Sequence, residues 1–201
     1  MNPQKMIALE EGHSVEAGIP PCAIRPEKRT AIFGEDHVYR YTLDIVWDES
    51  LPLCQVIGLN PSTADEFKDD PTVRRCKDFA RRFGCGGIVM TNIFAYRDTD
   101  PAGMMKHPAP IGERYRHRGA GGGMMRYDNQ NDNALVDTAV RCRVHIAAWG
   151  VHGAHLNRGR EVCTILSGLH TLKCLGVTKD GHPKHPLYLA RTSVLRPFSY
   201  A

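Results

Sequence analysis

Short hydrophobic runs alternate with segments of mixed polarity along most of this chain. Four of the runs are apolar over almost their whole length, which is typical of strands that are buried on both faces. These predicted strands lie at residues 53–59, 87–94, 144–149 and 171–176. Helices are predicted between them, at about residues 70–83, 128–141 and 158–169. Strands that alternate with helices indicate an α/β fold, and we predict a three-layer α/β/α arrangement with a short, mostly parallel central sheet.

The amino-terminal part has a different pattern. Residues 39–47 alternate in polarity and are rich in β-branched and aromatic side chains, and a shorter apolar run lies at 30–33. A turn at 34–37 separates the two runs, so they are predicted to form an antiparallel β-hairpin. Residues 1–28 show no period and contain four prolines, which predicts a loosely ordered arm. We expect residues 29–201 to form a single α/β domain.

Glycine and arginine are concentrated in one segment of that domain, residues 112–127. Glycine-rich backbone does not hold one conformation cheaply, so the segment is predicted to be a mobile basic loop. Two interpretations remain open for this loop. It is either an insertion that the fold tolerates or a finger with a function of its own.

Composition excludes several classes of protein. The 201 residues are 42% hydrophobic and 24% charged, as in an ordinary globular protein. No apolar run is long enough to cross a bilayer, and the first residues carry no secretory signal, so we expect a cytoplasmic protein. The seven cysteines are odd in number and form no C-x-x-C pair, which argues against a disulfide framework, a zinc ribbon or an iron–sulfur cluster. No cofactor is predicted.

The charge is distributed unevenly along the chain. The formal net charge is +4, but residues 1–50 hold 5 basic and 9 acidic groups, so the rest of the chain is strongly basic. This asymmetry permits an anionic partner such as nucleic acid, although arginines and lysines also serve to solvate helix faces. The candidate nucleic-acid contacts are Arg74, Arg81, Arg116 and Lys184. The sequence predicts DNA or a nucleotide as partner and no membrane, and it leaves the oligomeric state undetermined.

An acidic cluster precedes the first predicted helix. Asp65, Asp69 and Asp70 could be read as magnesium ligands. Asp70, however, stands directly before Pro71, at the place of a helix N-cap followed by proline in the first turn. We therefore interpret Asp70 as a cap and predict no metal site.

Polar residues follow each predicted core strand. The carboxyl ends of parallel strands are where doubly wound sheets bind their ligands, and four such loops together are more than ordinary turns require. The residues are Gly58 to Asp65, Thr91 to Arg97, Trp149 to Gly153, and Lys179 to Pro186. They offer carboxamides, imidazoles and backbone N–H groups, which are suited to binding a base or a sugar.

The order of these motifs resembles a known family. The chain reads L-N-P-S-T-A-D, D-D-P-T-x-R-R-C, N-I-F-A-x-R-x-T-D-P, A-A-W-G and L-G-x-T-K-D-G-H-P-x-H-P-L-Y in turn. This pattern resembles the bacterial and phage family DUF1643, over roughly residues 29–190. The family arrangement in turn resembles the uracil-DNA glycosylase superfamily, in which a G-x-[D/N/E]-P motif, an asparagine, a W-G pair and an H-P loop follow successive strands.

The resemblance assigns roles to individual residues. Asn60 and His182 stand at catalytic positions, and Asn92 stands at the place of an asparagine that reads a pyrimidine. The implied substrate-binding residues are Gly58, Pro61, Ser62, Asn92, Phe94, Trp149 and His185. Ser62 replaces the bulky aromatic residue of stringent uracil enzymes, and the H-P loop lacks their serine-bearing pattern.

These residues suggest a chemistry and two alternatives to it. Asn60 cannot titrate but can orient a water, and His182 can donate a hydrogen bond to a base oxygen where charge develops. Phe67, Phe94 or Tyr96 could stack on a flipped base. The leading expectation is hydrolysis of an N-glycosidic bond in a nucleic acid or nucleotide. The alternatives are a catalytically silent binding module and an enzyme that acts on a small modified nucleoside or nucleotide.

Overall fold

The computed structural model describes residues 26–62, 67–114 and 127–200. Seven strands are present there: β1 Lys28–Phe33, β2 Arg40–Val46, β3 Leu53–Gly58, β4 Gly87–Asn92, β5 Val144–Ala147, β6 Lys173–Cys174 and β7 Arg196–Pro197. The α-helices of this part are α1 Pro71–Arg82, α2 Pro101–Lys106, α3 Gln130–Arg141 and α4 Arg158–Ser167. Two 3₁₀ segments lie at Val151–Asn157 and Pro186–Tyr188. The chain therefore has a mixed α/β fold.

All seven strands belong to one sheet, in the order β1-β2-β4-β3-β5-β6-β7. The pairs within β4-β3-β5-β6 are parallel, whereas β1–β2, β2–β4 and β6–β7 are antiparallel. The hairpin prediction is confirmed, but the mostly parallel sheet is corrected to a mixed one. The difference arises because the hairpin extends the sheet along β4, and because β7, a two-residue strand with no hydrophobic signal, closes the other edge.

Helices pack on both faces of the sheet. Neighbouring residues of β3 point to opposite sides, with Val56 in one hydrophobic cluster and Ile57 in the other. Val73 and Phe79 of α1 belong to the first cluster. Leu135 of α3 and further residues of α4 belong to the second. This arrangement follows from the right-handed crossovers that parallel strands require when the chain winds first to one side of β3 and then to the other.

The first helix begins where its sequence predicts. The Asp70 carboxylate accepts a hydrogen bond from the Val73 backbone N–H at 2.7 Å, and Pro71 occupies the first turn. The helix ends at Arg82, and its C-cap Phe83 is followed by Gly84 with a φ of 72°. The interpretation of Asp70 as a cap is confirmed. The short helix α2 has too few residues for a periodic signal, and the sequence did not predict it.

The winding of the chain creates a switch point beside β3. After β3 the chain passes through α1 to β4 on one side, and later returns to β5 on the other side. At such a point the loops after the two neighbouring strands diverge and leave a crevice at their carboxyl ends. The polar loops that were predicted from the sequence follow these carboxyl ends.

Some predictions concern residues outside the described part. Residues 1–25 of the predicted arm and residues 115–126 of the predicted loop lie there, so both stay predictions. In the described part, no helix is both long and apolar enough for a membrane crossing.

Candidate functional site

A cleft of about 630 Å³ opens at the carboxyl ends of β3, β4 and β5. Its walls come from the segment after β3, the start of α1, the loop before α2, the turn after β5 and the loop at 184–188. The cleft brings together seven of the residues that the sequence predicted for the site. They are Gly58, Asn60, Ser62, Asn92, Trp149, Lys184 and His185.

Asn92 provides a buried hydrogen-bond donor in this cleft. It ends β4, is only 3% exposed, and lies opposite Gly58 in the register of β3 and β4. A Cβ atom on Gly58 would come within 2.6 Å of the Asn92 Oδ1, so glycine makes room for this side chain. The Asn92 Nδ2 has no hydrogen-bond partner among the described residues. A buried polar group without a partner costs about 1–3 kcal/mol, which a ligand that accepts its N–H would recover.

Asn60 is held by its amide nitrogen. Its Nδ2 donates to the backbone carbonyls of Asp98 at 2.8 Å and Pro61 at 3.2 Å. The backbone N–H of Asp98 in turn donates to the Pro61 carbonyl at 3.0 Å, which ties the two loops together. Both bonds of the side chain use Nδ2, so its carbonyl oxygen is not needed for anchoring. The arrangement offers a fixed acceptor at the cleft wall, and one that does not titrate.

His185 is set up as a neutral donor. Its Nδ1 accepts a hydrogen bond from the Leu187 backbone N–H at 3.4 Å, at the start of the 3₁₀ segment Pro186–Tyr188. Burial lowers the pKa of His185, and the nearby Asp70 carboxylate opposes this only in part. A neutral ring whose Nδ1 is an acceptor carries its proton on Nε2. His185 therefore offers an N–H donor near neutral pH.

His182 is placed differently from His185. It does not line the cleft, and its Nδ1 lies 3.1 Å from the hydroxyl of Tyr200. The same hydroxyl accepts a hydrogen bond from the Trp149 Nε1 at 3.0 Å. The hydroxyl proton is then available for the His182 Nδ1, so the carboxyl-terminal tyrosine links the histidine loop to the strand-end tryptophan. The structure does not bring His182 together with Asn60.

Two other predicted contacts lie behind the cleft. Phe94 is fully buried in the second hydrophobic cluster, and Pro61 is a buried residue of the loop after β3. Neither residue lines the cleft. A buried Phe94 ring has no face open to a ligand, because the packing of the core already covers it.

The other two aromatic residues that were predicted to stack on a base, Phe67 and Tyr96, do not line the cleft either. Tyr96 stacks on His107 with ring centroids 3.9 Å apart, and Phe67, although 87% exposed, does not line the cleft. Tyr188 does line it and is 85% exposed. Its place at the rim depends on the 3₁₀ turn after His185, which sequence reasoning had no means to locate.

Sequence reasoning also missed Arg40. This residue of β2 is 3% exposed and lines the cleft from a strand that lies beyond β4. One signal could have found it, because Arg40 is a charged residue between Tyr39 and Tyr41 at the start of β2, a strand rich in aromatic and β-branched residues. A charged side chain in such a strand is rarely buried without a reason.

The predicted nucleic-acid contacts are spread over the surface. Lys184 is exposed at the cleft rim, whereas Arg74 and Arg81 lie on the outer face of α1. Arg81 pairs with Glu27 at 3.1 Å and stacks over the Trp47 ring. Arg116 lies outside the described residues.

The acidic cluster before α1 is engaged in ion pairs rather than open to a cation. Asp69 lies 2.8 Å from the Lys77 Nζ and 2.7 Å from the Arg29 guanidinium, contacts that hold the pKa of Asp69 below its ordinary value although burial opposes them. Asp70 caps α1, and Asp65 is not among the described residues. Within residues 26–62, 67–114 and 127–200, no group of three or more metal-ligating side chains is arranged to hold an ion.

Comparison with known proteins identifies the family. No curated protein and no solved structure matches the chain. A family model described as "Protein of unknown function (DUF1643)" matches residues 40–187. The matched region begins at Arg40 and contains Asn60, Asn92 and His185, so it includes the polar walls of the cleft. Since it covers most of the 201 residues, the chain belongs to the DUF1643 family.

Proposed function

We propose that the cleft binds the base of a nucleotide and that the protein hydrolyses the N-glycosidic bond of that base. The observation that carries the proposal is the buried Asn92 amide, which belongs to a residue that lines the cleft and whose Nδ2 has no hydrogen-bond partner among the described residues. A carboxamide offers a donor and an acceptor in one plane, which suits the polar edge of a nucleobase.

The other walls of the cleft suit a flat heterocycle. Leu59, Val73 and Met90 supply apolar surface, and Tyr188 supplies an exposed aromatic ring at the rim. Ligand sites of this kind combine apolar walls with a few fixed polar groups, and about 630 Å³ is within their usual size. Arg40 adds a positive charge at the same wall, which favours an electron-rich ligand.

The proposed reaction uses two fixed groups. The bond between the sugar C1′ and the base nitrogen breaks, and its electron pair leaves with the base. The His185 Nε2–H donates to the base oxygen where negative charge develops. The Asn60 carbonyl orients the water whose oxygen bonds to C1′, and the proton lost by that water neutralises the departing base.

The resemblance to uracil-DNA glycosylases agrees with this proposal in part. Of the residues that the resemblance assigns, Gly58, Asn60, Asn92 and Trp149 stand at or just after the ends of three different strands and line the one cleft, whereas Pro61, Phe94 and His182 do not line it. The three-layer arrangement of that superfamily is part of this proposal. His182 is the catalytic histidine by motif, whereas the geometry favours His185 for the same role.

A base-excision assay tests the proposal. Single- and double-stranded oligonucleotides that carry uracil, mismatched thymine, hypoxanthine or hydroxymethyluracil are incubated with the protein and then treated with alkali. We expect strand cleavage that Asn92→Ala and Asn60→Ala each reduce by about 100-fold or more, in line with the loss of a fixed polar group at a reacting centre.

The two histidines provide the matched comparison. His185→Ala is expected to reduce cleavage as strongly as Asn60→Ala, and His182→Ala to reduce it less. A protein that binds the same oligonucleotides through Asn92 but releases no base is a binding module, and the hydrolytic part of the proposal is then wrong. If neither binding nor cleavage depends on Asn92, the whole proposal is wrong.

A further inference from the structure

A second depression, of about 610 Å³, runs along the outer face of α1 beside the segment that ends at Arg191. We refer to it as the basic groove. Five of its nine lining residues are basic and two are acidic. The basic residues are Arg74, Arg75, Lys77, Arg81 and Arg191.

The far wall of the basic groove is held in place by arginines of α1. Arg75 donates to the Leu189 carbonyl, and Arg82 donates to the carbonyls of Arg191 and Ser193. Such bonds fix an irregular segment against a helix without using its side chains. The backbone of Arg191 is thereby fixed, and its side chain lines the groove.

Not all basic groups of the groove are equally available to a ligand. Lys77 pairs with Glu27 and Asp69, and Arg81 pairs with Glu27. Arg74 is exposed and gives one hydrogen bond to the Asp69 carbonyl, at 2.9 Å. Arg191 is exposed and forms no ion pair with any described residue. The guanidinium groups of Arg74 and Arg191 are therefore not paired with a described carboxylate, and such groups suit an anion that accepts paired N–H bonds, as phosphate does.

The basic groove is continuous with the cleft. Pro71 and Leu187 line both depressions, so they form the shared rim. The arginines of the basic groove line the groove and not the cleft. A ligand that occupies the cleft and also contacts these arginines must therefore extend over the shared rim.

We propose that the basic groove holds the phosphodiester backbone of a nucleic-acid strand that has one base in the cleft. The base in the cleft rests on the function proposed above, whereas the groove contact does not depend on it. The substrate is then a polymer and not a free nucleoside or nucleotide.

Binding of labelled single strands of about 15 nucleotides, followed by fluorescence anisotropy, tests this inference. The probes are DNA and RNA of one sequence and a DNA strand made entirely of abasic residues. The variant is Arg74→Glu combined with Arg191→Glu. The matched control is Arg143→Glu. Arg143 is exposed and lies just before β5, at the amino-terminal end of this strand, whereas the cleft lies at the carboxyl end.

The expected result has two parts. The double variant binds all three strands about tenfold more weakly or worse, while Arg143→Glu binds like the unchanged protein. For the double variant, the slope of log affinity against log salt concentration decreases in magnitude by about 1 to 1.5. This is the change expected when two phosphate contacts on a single strand are lost.

Different failures identify different errors. Equal weakening by Arg143→Glu, or no weakening by the double variant, overturns the assignment of the groove. If nucleosides bind through Asn92 but no strand binds, the inference of a polymer is wrong and the base site stands. If strands bind through the groove and Asn92→Ala changes nothing, the groove stands and the proposed base site is wrong.

Discussion

At the scale of single residues, the site depends on a close approach between two strands. Gly58 and Asn92 are register partners at the ends of β3 and β4. The missing side chain of Gly58 leaves the space in which the Asn92 carboxamide lies. The backbone carbonyl of Asn92 accepts a hydrogen bond from the Asn131 Nδ2 at 3.0 Å, so the strand end itself is fixed. The side chain is thus positioned by its neighbours, while its own Nδ2 has no hydrogen-bond partner among the described residues.

Gly58→Ala tests this positioning. The new methyl group would stand 2.6 Å from the Asn92 Oδ1 and push the carboxamide aside. Because the displaced atom is the end of a side chain, we expect the free energy of unfolding to fall by only about 1 kcal/mol. Binding of nucleosides and oligonucleotides that depends on Asn92 should be lost.

Gly168→Ala is the control for that substitution. Its added methyl group meets no atom within 4 Å. Thermal unfolding and ligand titration of both variants separate recognition from stability. Ligand binding by Gly58→Ala at the unchanged affinity would contradict the role given to Asn92.

At the scale of secondary-structure elements, the carboxyl-terminal segment holds the histidine loop against the sheet. Tyr200 contacts both Trp149, just after β5, and His182. The Pro183 carbonyl accepts a hydrogen bond from the Gly150 backbone N–H at 2.9 Å, which joins the same loop to the same turn. These contacts set the direction of the chain that continues to His185. The segment at 198–200 therefore supports the cleft without lining it.

Tyr200→Phe removes only the hydroxyl group of this link. The buried Trp149 Nε1–H then loses its acceptor, and His182 loses its donor. We expect the free energy of unfolding to decrease by about 1–3 kcal/mol, the usual cost of an unsatisfied buried polar group. Denaturant unfolding measures this change.

Tyr188→Phe serves as the matched control, because Tyr188 is 85% exposed and its ring remains in place. We expect its stability to stay within about 0.5 kcal/mol of the unchanged protein. Equal stability of the two variants would show that the Tyr200 hydroxyl does not link the loop to the sheet.

At the scale of the whole molecule, a series of buried hydrogen bonds between polar groups crosses one face of the sheet. Gln55 of β3 donates to the Thr91 hydroxyl at 3.3 Å and to the Leu135 carbonyl at 3.0 Å. Its Oε1 lies 3.0 Å from the His145 Nδ1, so the neutral histidine donates there. The His145 Nε2 is buried without a hydrogen-bond partner in the described structure, and the ring stacks on His170. Burial is the main cause that lowers the pKa of His145 to about 4.

The lowered pKa of His145 predicts that the folded protein loses stability in mild acid. The unfolded chain takes up a proton on His145 near pH 6.5, whereas the folded protein resists it until about pH 4. Stability from this group is therefore fully present above pH 6.5 and decreases as the pH falls. We expect the free energy of unfolding to fall by on the order of 2 kcal/mol across this range.

His145→Gln is the variant that isolates this effect, because glutamine does not titrate and can still donate to Gln55. Its stability should depend less on pH between 6.5 and 4, as measured by urea unfolding at a series of pH values. The lowered pKa of His185 acts in the same direction and remains in both proteins. Identical pH profiles for the two proteins would contradict the assignment to His145.

Much of the local structure could be predicted from the sequence. The helix that starts after Asp70 depends on a cap, a proline and an apolar stripe within a few residues, so neighbouring positions decide it. The predicted strand at 53–59 is likewise a local hydrophobic signal. Strand β7 and helix α2 have no such signal, because their few residues are stabilised mainly by contacts with the rest of the fold.

The sequence by itself determined the order of the amino-terminal hairpin, the four core strands and the three longer helices, the Asp70 cap and the polar residues at strand ends, because each depends on residues close together in the chain. Only the tertiary structure decided which of those residues share a cleft. Asn60, Asn92 and His185 meet there, whereas Phe94 joins the core and His182 turns to Tyr200. The direction of a side chain depends on strand register and on contacts with segments far along the chain. Arg40 also lines the cleft because of the tertiary structure, since it lies in β2, far along the chain from the lining residues near His185.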